Sequence, residues 1–349
     1  MAEVTSGPAT TQPKPVSSPE RPLRVYVRGA GAGLGRRVLA QLSTVPGLHT
    51  ITDLAAEPET VCDVIVELGV GDHDTRARRR ESVTIGAADL LAEAAATGAE
   101  HMVLVSSAMV YGAVANNPVP LTEEAVLRPD PEFVYARQLA SAEQLVEEWR
   151  RAQPGRTVSV LRPVITMAAD GAGSLASALA AGTGYRFGQA DPGAQFVHLD
   201  DVAAAVQLAV VDRLDGVYNV APDGWIPGER VRALTGDRFK IPVPDRWSEV
   251  IEAVRWRFQR GPIPPGLRPY TREPWLVAND KLRAAGWEPT VTNEQAYVEG
   301  TEAKWWTMIT PKRRQELALG GLVIAVAGLT AGTVAVLVRW RRRTSNRSG

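Results

Sequence analysis

From Leu23 onward the apolar positions fall into two alternating kinds of run. LRVYV (23–27), HTITDL (49–54), DVIVEL (63–68), HMVLVSS (101–107), VSVLRPVI (158–165), QFVH (195–198) and GVYNVA (216–221) are short and rich in β-branched residues, as buried strands are. Between them, LGRRVLAQL (34–42), a long stretch ending DLLAEAAATGA (89–99), PEFVYARQLASAEQLVEEWRR (131–151) and DDVAAAVQLAVV (200–211) space their apolar residues as helices do. Strand and helix signals in alternation predict βαβ units, and so an α/β fold with a doubly wound parallel sheet. A looser region rich in Pro and Trp follows. Eight of the nine tryptophans lie after residue 200, from Trp225 to Trp340, which predicts a small C-terminal cap mainly after residue 163.

Two segments break the alternation. Residues 1–22 hold five prolines and almost no large apolar side chain, so they cannot bury enough surface to offset ordering, and they read as a disordered leader. They contain no basic stretch followed by an apolar one, so they are not expected to act as a signal peptide. Residues 317–338 (LALGGLVIAVAGLTAGTVAVLV) carry no charge and would span about 33 Å as a helix, the thickness of a bilayer's hydrocarbon core. Lys312, Arg313 and Arg314 flank one end, and Arg339, Arg341, Arg342 and Arg343 the other. The expectation is one transmembrane helix, with the domain at 23–306 before it and a basic tail at 339–349 after it. Gly328 and Gly332 form the small-residue spacing of a close helix pair. Cationic flanks nearly tie on the two sides. The expected placement is therefore argued from the missing signal peptide: a single-pass protein of the cell membrane with its large domain cytoplasmic.

Composition narrows the chemistry. The formal net charge is zero, but residues 339–349 contain five Arg and no acid, which leaves residues 1–338 net acidic. A nucleic-acid binder would instead show a basic domain face, so no nucleic acid is expected as a partner. Cys62 is the only cysteine, which excludes an intrachain disulfide, and His49, His73, His101 and His198 show no metal-ligand spacing. No metal site is expected.

The segment LRVYVRGAGAGLGRRVLAQL (23–42) places Gly29, Gly33 and Gly35 between a strand and a helix, where backbone N–H groups can approach a pyrophosphate resting on the helix N-terminus. With it come, in order, VLVSSAMVYG (103–112), VYARQLASAEQLV (134–146), VLRP (160–163), QFVHLDDVA (195–203), GVYNVA (216–221) and PWLVANDKLRAAGWEP (274–289). In these landmarks the chain resembles the short-chain dehydrogenase/reductase superfamily, and within it the extended NAD-dependent epimerase/dehydratase branch, over roughly residues 23–300. The resemblance implies a Rossmann-like sheet and NAD as cofactor, with NADP as the second choice. It implies that Gly29, Gly31, Gly33, Leu34 and Gly35 hold the cofactor, and that Ser107 and Tyr135 are the catalytic serine and tyrosine. A nucleotide sugar is the implied ligand and a homodimer the implied assembly.

The chain departs from that pattern in ways that bear on chemistry. A phenol ionises near pH 10 and needs a nearby cation to exchange a proton near neutrality. The family supplies a lysine in Y-x-x-x-K; here that position is Leu139, and the chain has no lysine between Lys14 and Lys240. Arg137 is on the wrong side of the helix, and Arg162 is the remaining candidate cation. Asp53, closing the second strand, is placed to accept from the adenosine ribose, or equally to be an exposed strand-end residue or a local cap. Only nine residues separate Asp53 from Asp63, too few for the further strand and helix that the family usually fits there, so the adenine side is expected to be cut down. Glu67 stands in place of the family's His in the third strand, Gly69 and Val70 replace its Ala-Ala after that strand, and no clear asparagine stands near Val83–Gly86.

Bland readings stand beside these. Ser107 also reads as a strand-end residue satisfying local backbone, and Tyr135 as a packed helix residue. His198 reads as structural, Asp200 and Asp201 as caps of the following helix, and 143–149 as a solvated acidic face. The mixed Arg and Trp positions of 246–260 read as cap packing or as a membrane-facing patch. Two functions follow. One is a membrane-anchored, catalytically impaired protein that binds a dinucleotide or nucleotide sugar as sensor or scaffold. The other is an active NAD(P)-dependent epimerase, dehydratase or reductase acting on a nucleotide sugar or lipid-linked substrate.

Overall fold

Strand β1 (Leu23–Arg28) is the second of six parallel strands, ordered β2-β1-β3-β4-β5-β8. The others are β2 (Leu48–Ile51), β3 (Val64–Glu67), β4 (His101–Val105), β5 (Thr157–Pro163) and β8 (Gly216–Val220). The computed structural model describes residues 21–31, 33–56, 61–68, 78–169, 175–176, 179–180, 192–235 and 265–302. The chain divides into two compact units, Met1–Gly300 and Thr301–Gly349, and of the second only residues 301 and 302 are described. Leader residues 1–20, Gly69 and Val70, the Arg and Trp positions of 246–260, the expected membrane span 317–338 and the basic tail lie outside the described residues. No helix among the described residues is long and apolar enough to cross a membrane.

Strand alternation sorts the side chains into two layers. Val25, Val27, Val64, Val66, Val103, Val105 and Leu161 point to one face and pack with Val38 and Leu42 of α1 (Gly33–Leu42) and with Val202, Ala205, Val206 and Ala209 of α4 (Leu199–Val211). Tyr26, Ile65, Met102, Leu104, Val158 and Val160 point to the other and pack with Leu90 and Ala94 of α2 (Arg78–Thr97) and with Leu139, Ala142, Val146 and Trp149 of α3 (Val134–Ala152). A sheet covered on both faces needs apolar side chains at consecutive strand positions, which is why β4 reads HMVLV and is buried throughout. Each fully buried leucine, such as Leu42 or Leu139, contributes about 2 kcal/mol.

The remaining elements gather at the C-terminal side. Strands β6 (Ile165–Met167) and β7 (Phe196–His198) form a separate two-stranded parallel sheet. Helices α5 (Gly228–Thr235), α6 (Arg268–Arg272), α7 (Asp280–Ala284) and α8 (Asn293–Glu302) follow. Tyr270, Trp275, Trp287 and Tyr297 are buried in the same core as α1 and α4, so aromatic side chains fasten this region to the sheet.

Two sequence expectations need correction. The N-cap of α4 is His198, whose ring accepts from the Asp200 N–H, while Asp200 and Asp201 lie in the helix's first turn. Asp201 is buried and holds the Thr290 N–H, the Thr290 hydroxyl and the Val291 N–H, so it anchors the C-terminal region instead of capping. Glu143, expected on a solvated face, is buried as well. Its neighbours are described below.

Candidate functional site

In a doubly wound sheet, ligands bind outside the C-terminal ends of the strands where the chain reverses its direction of winding. Here β1 leads outward to β2, and the chain then crosses back to β3 on the other side of β1. That makes the ends of β1 and β3 the switch point. Among the described residues no strand lies outside β2, which agrees with the short spacing between Asp53 and Asp63. Among the described residues the sheet ends at β2 on that side.

The glycine loop joins β1 to α1 at this point. Gly29 has a φ of 77°, a left-handed conformation that side chains disfavour. At Gly35, a Cβ would sit 2.4 Å from the Gly29 carbonyl oxygen and 2.6 Å from Ala30 backbone atoms, so only glycine lets the helix start so close to the loop. Gly31 is exposed and Gly33 half-buried, and neither is crowded in this way. Leu34 is half-buried and packs against the core from the first turn of α1. Helix α1 therefore begins directly after the end of β1, and the N-terminus of a helix favours an anion. Arg37 is turned toward α4, its Nε 2.7 Å from Asp200 Oδ1 and its Nη1 donating to the Gly33 carbonyl.

Asp53 stands two residues beyond the end of β2, exposed, and its Oδ1 accepts from the Ala55 N–H at 2.9 Å. The local turn-capping reading therefore holds for that oxygen, and the residue lies past the strand it was expected to close.

Ser107 follows β4 and is half-buried. Its Oγ accepts from the Met109 N–H at 3.2 Å, capping a 3-10 turn at Ala108–Tyr111. Tyr135 is in the first turn of α3, half-buried, with its ring 5.7 Å from that of Phe133. Burial pushes the Tyr135 phenol above its ordinary pKa. One turn further on, Leu139 is fully buried among the apolar side chains of the α2–α3 face.

Arg162, the remaining candidate for the missing cation, is engaged elsewhere. Its Nε and Nη2 hold both oxygens of Glu143, at 3.1, 3.2 and 2.5 Å, and its Nη1 donates to the Tyr111 hydroxyl at 2.7 Å. The guanidinium also lies over the Tyr111 ring, 4.7 Å from its centroid. Tyr111 in turn donates to Asn219 Oδ1, and the Ser106 hydroxyl donates to Glu143 Oε1. Ser106, Glu143, Arg162, Tyr111 and Asn219 are all buried, so the charges of this network are satisfied inside the protein. Sequence reasoning missed Glu143, although Tyr135, Leu139 and Glu143 recur at four-residue spacing and so form one stripe of α3.

The region after residue 264 closes over the same turn. The Tyr270 hydroxyl donates to the Met109 carbonyl at 2.7 Å, its ring lies 5.6 Å from Phe133, and Trp275 donates through Nε1 to the Tyr270 carbonyl. The neighbourhoods of Ser107 and of the start of α3 are therefore joined through Tyr270. Among the described residues no His, Cys, Asp and Glu side chains gather in a way that could hold a metal ion.

Comparison with known proteins agrees with this geometry. The family model described as NAD dependent epimerase/dehydratase matches residues 48–221. No curated protein matches the chain in sequence. Among solved structures, the UDP-glucose 4-epimerase of Thermus thermophilus in complex with NAD is 20% identical, with a TM-score of 0.55 over 80% of this chain and 98% of that one. The UDP-glucose 4-epimerase of Thermotoga maritima with UDP-glucose is 18% identical, with a TM-score of 0.55 over 82% and 99%. A human epimerase family protein with NADPH is 18% identical, with a TM-score of 0.57 over 80% and 100%. At these identities the structures speak for the fold, a Rossmann-like parallel sheet, while the sequence match from β2 to the end of β8 carries the relationship: the chain belongs to the NAD-dependent epimerase/dehydratase family.

Proposed function

We propose that this protein binds a dinucleotide or nucleotide sugar at the β1–β3 switch point as a sensor or scaffold, that its proton chemistry is impaired, and that residues 317–338 anchor it in the cell membrane with the large domain cytoplasmic. Gly29, Gly31, Gly33, Leu34 and Gly35 would hold the pyrophosphate of NAD against the N-terminus of α1, and Asp53 would face the adenosine ribose. The loop geometry suits that role, because Gly35 admits no side chain between the helix and the loop. A nicotinamide held there would supply hydride transfer. Family membership and the kinds of ligand carried by similar structures, NAD, NADPH and UDP-glucose, support this ligand class.

The observation that carries the impaired reading is Leu139. Where the family resemblance calls for a cation, there is a fully buried hydrocarbon side chain, and Arg162 is occupied by Glu143 and Tyr111. The active alternative is favoured by the retention of Ser107 at the end of β4 and Tyr135 at the start of α3. In that reading Tyr135 exchanges the substrate hydroxyl proton and Ser107 orients the reacting oxygen.

The test is calorimetric titration of the full chain in detergent micelles with NAD, NADH, NADP and NADPH, followed by assay of nucleotide-sugar conversion by the wild type and by Tyr135→Phe. Micromolar binding without turnover is expected. Turnover that Tyr135→Phe abolishes would establish the enzyme reading instead, and no binding by a folded protein would refute both. Deletion of 317–338 is expected to release the protein from the membrane fraction; unchanged membrane association would overturn the anchor.

A further inference from the structure

Arg28 and Glu67 are register partners at the C-terminal ends of β1 and β3, the two strands that flank the switch point. Tyr26 and Ile65, the pair two positions earlier, belong to the core on the α2–α3 face, so the strand period puts Arg28 and Glu67 on that face too. Arg28 Nη1 lies 2.9 Å from Glu67 Oε2 and Nε lies 3.1 Å from Glu93 Oε2 on α2. Nη1 also donates to the Gly86 carbonyl at 3.1 Å. The side chains of Arg28, Glu67 and Glu93 are 17%, 9% and 32% exposed, so the Arg28–Glu67 pair is mostly buried and Glu93 less so. The Tyr26 phenol is raised by burial first, then by Glu93, with Arg28 opposing and Glu67 and Asp53 adding to the rise. Asp53 stands two residues beyond β2, whose Ile51 pairs with Tyr26 of β1, and so lies at the same end of the sheet.

We propose that the Arg28–Glu67–Glu93 cluster is a specificity element for the adenosine half of a bound dinucleotide, admitting a ribose with a free 2′-hydroxyl and rejecting a 2′-phosphate. This rests on the dinucleotide-binding reading above. A hydroxyl can donate to a carboxylate, whereas a phosphate only adds an anion to a site that already has an excess of them. Among the described side chains at these strand ends, Arg28 is a guanidinium that could grip a phosphate, and it is already engaged by ion pairs with Glu67 and Glu93 and by its hydrogen bond to the Gly86 carbonyl. Arg37 of α1 is directed to Asp200 and the Gly33 carbonyl. The sequence alone offered Asp53 for this discrimination. The structure adds Glu67 and Glu93, acting by withholding Arg28.

The experiment is calorimetric titration of the full chain in detergent with NAD, NADH, NADP and NADPH, repeated for Glu67→Gln/Glu93→Gln and for Asp53→Asn. The wild type is expected to bind NAD at least about tenfold more tightly than NADP. The double variant, its Arg28 released, is expected to gain NADP affinity until the preference is lost or reversed. Because the discrimination is electrostatic, the wild-type preference is also expected to narrow as salt rises from roughly 0.02 M to 0.5 M, a readout that needs no variant to fold. A preference that salt leaves unchanged, or that Asp53→Asn erases while the double variant keeps it, would overturn the proposal. Equal binding of NAD and NADP by the wild type would also overturn it while leaving the nucleotide-binding reading intact; no binding of any of the four by folded protein would remove that reading and the proposal together.

Discussion

Arg162 on β5 grips Glu143 on α3 with two nitrogens, both residues being almost completely buried, at 4% and 6% exposure. The pair fixes α3 against the sheet two turns beyond Tyr135, and through Ser106 it also holds the end of β4 from which Ser107 emerges. A buried ion pair costs desolvation on both sides, so its worth is not that of two free charges meeting. What it imposes is that neither partner can be lost alone.

Glu143→Ala is therefore expected to destabilise the protein by about 3–5 kcal/mol by leaving a buried guanidinium without its anion. Glu143→Leu combined with Arg162→Met should recover most of that loss. Thermal unfolding of the single and double variants checks this; equal losses in both would refute the reading.

Gly35 and Gly31 should separate cleanly. Gly35→Ala puts a Cβ into the Gly29 carbonyl and is expected to open the loop, lower the melting temperature and abolish dinucleotide binding. Gly31→Ala meets nothing within 4 Å and is expected to leave the melting temperature within about 2–4 °C of the wild type. Differential scanning calorimetry with and without NAD distinguishes the two.

Leu139→Lys would place an ammonium among the apolar side chains between the sheet, α2 and α3. A loss of at least about 3 kcal/mol in urea unfolding is expected, against under about 1.5 kcal/mol for Leu139→Met. A stable Leu139→Lys protein would show that the position can reach solvent or an anion, contrary to its full burial.

His101 gives the fold a pH dependence. Its ring is fully buried, bonded to the Thr157 hydroxyl and the Ala209 carbonyl, and burial holds its pKa down at about 4. The unfolded chain takes up this proton near pH 6.5, and the folded one only near 4. Below pH 6.5 the unfolded state thus binds more protons, so stability falls as pH falls, by up to about 1.4 kcal/mol per unit, and this contribution levels off below about pH 4. Urea unfolding of wild type and His101→Gln between about pH 7.5 and 4.5 isolates it; identical slopes would refute it.

Much of the fold was legible because its signals are local. Each strand of the six-stranded sheet, from LRVYV to GVYNVA, was found as a run, since a sheet buried on both faces demands consecutive apolar positions, whereas β6 was merged with β5 in the run VSVLRPVI. The shortened span between Asp53 and Asp63 likewise announced a sheet that ends at β2, because a crossover helix needs chain length that is not there. Leu139 was visible as a substitution at a fixed helical spacing from Tyr135. What the spacing could not give was the company those residues keep. Arg162 looked available as a cation until its partners, 19 and 51 residues away in sequence, were seen to occupy it.

By itself, then, the sequence determined the layer pattern, the glycine turn between β1 and α1, and the identity of the residues at Ser107, Tyr135 and Leu139, since these follow from period and spacing along one chain. Tertiary structure alone decided which charges meet. That Glu143 is buried with Arg162, that Glu67 and Glu93 hold Arg28 at the switch point, and that Asp201 anchors the C-terminal region depend on contacts between elements distant in sequence. A carboxylate has the same letter whether water or a guanidinium surrounds it, and only packing removes the water.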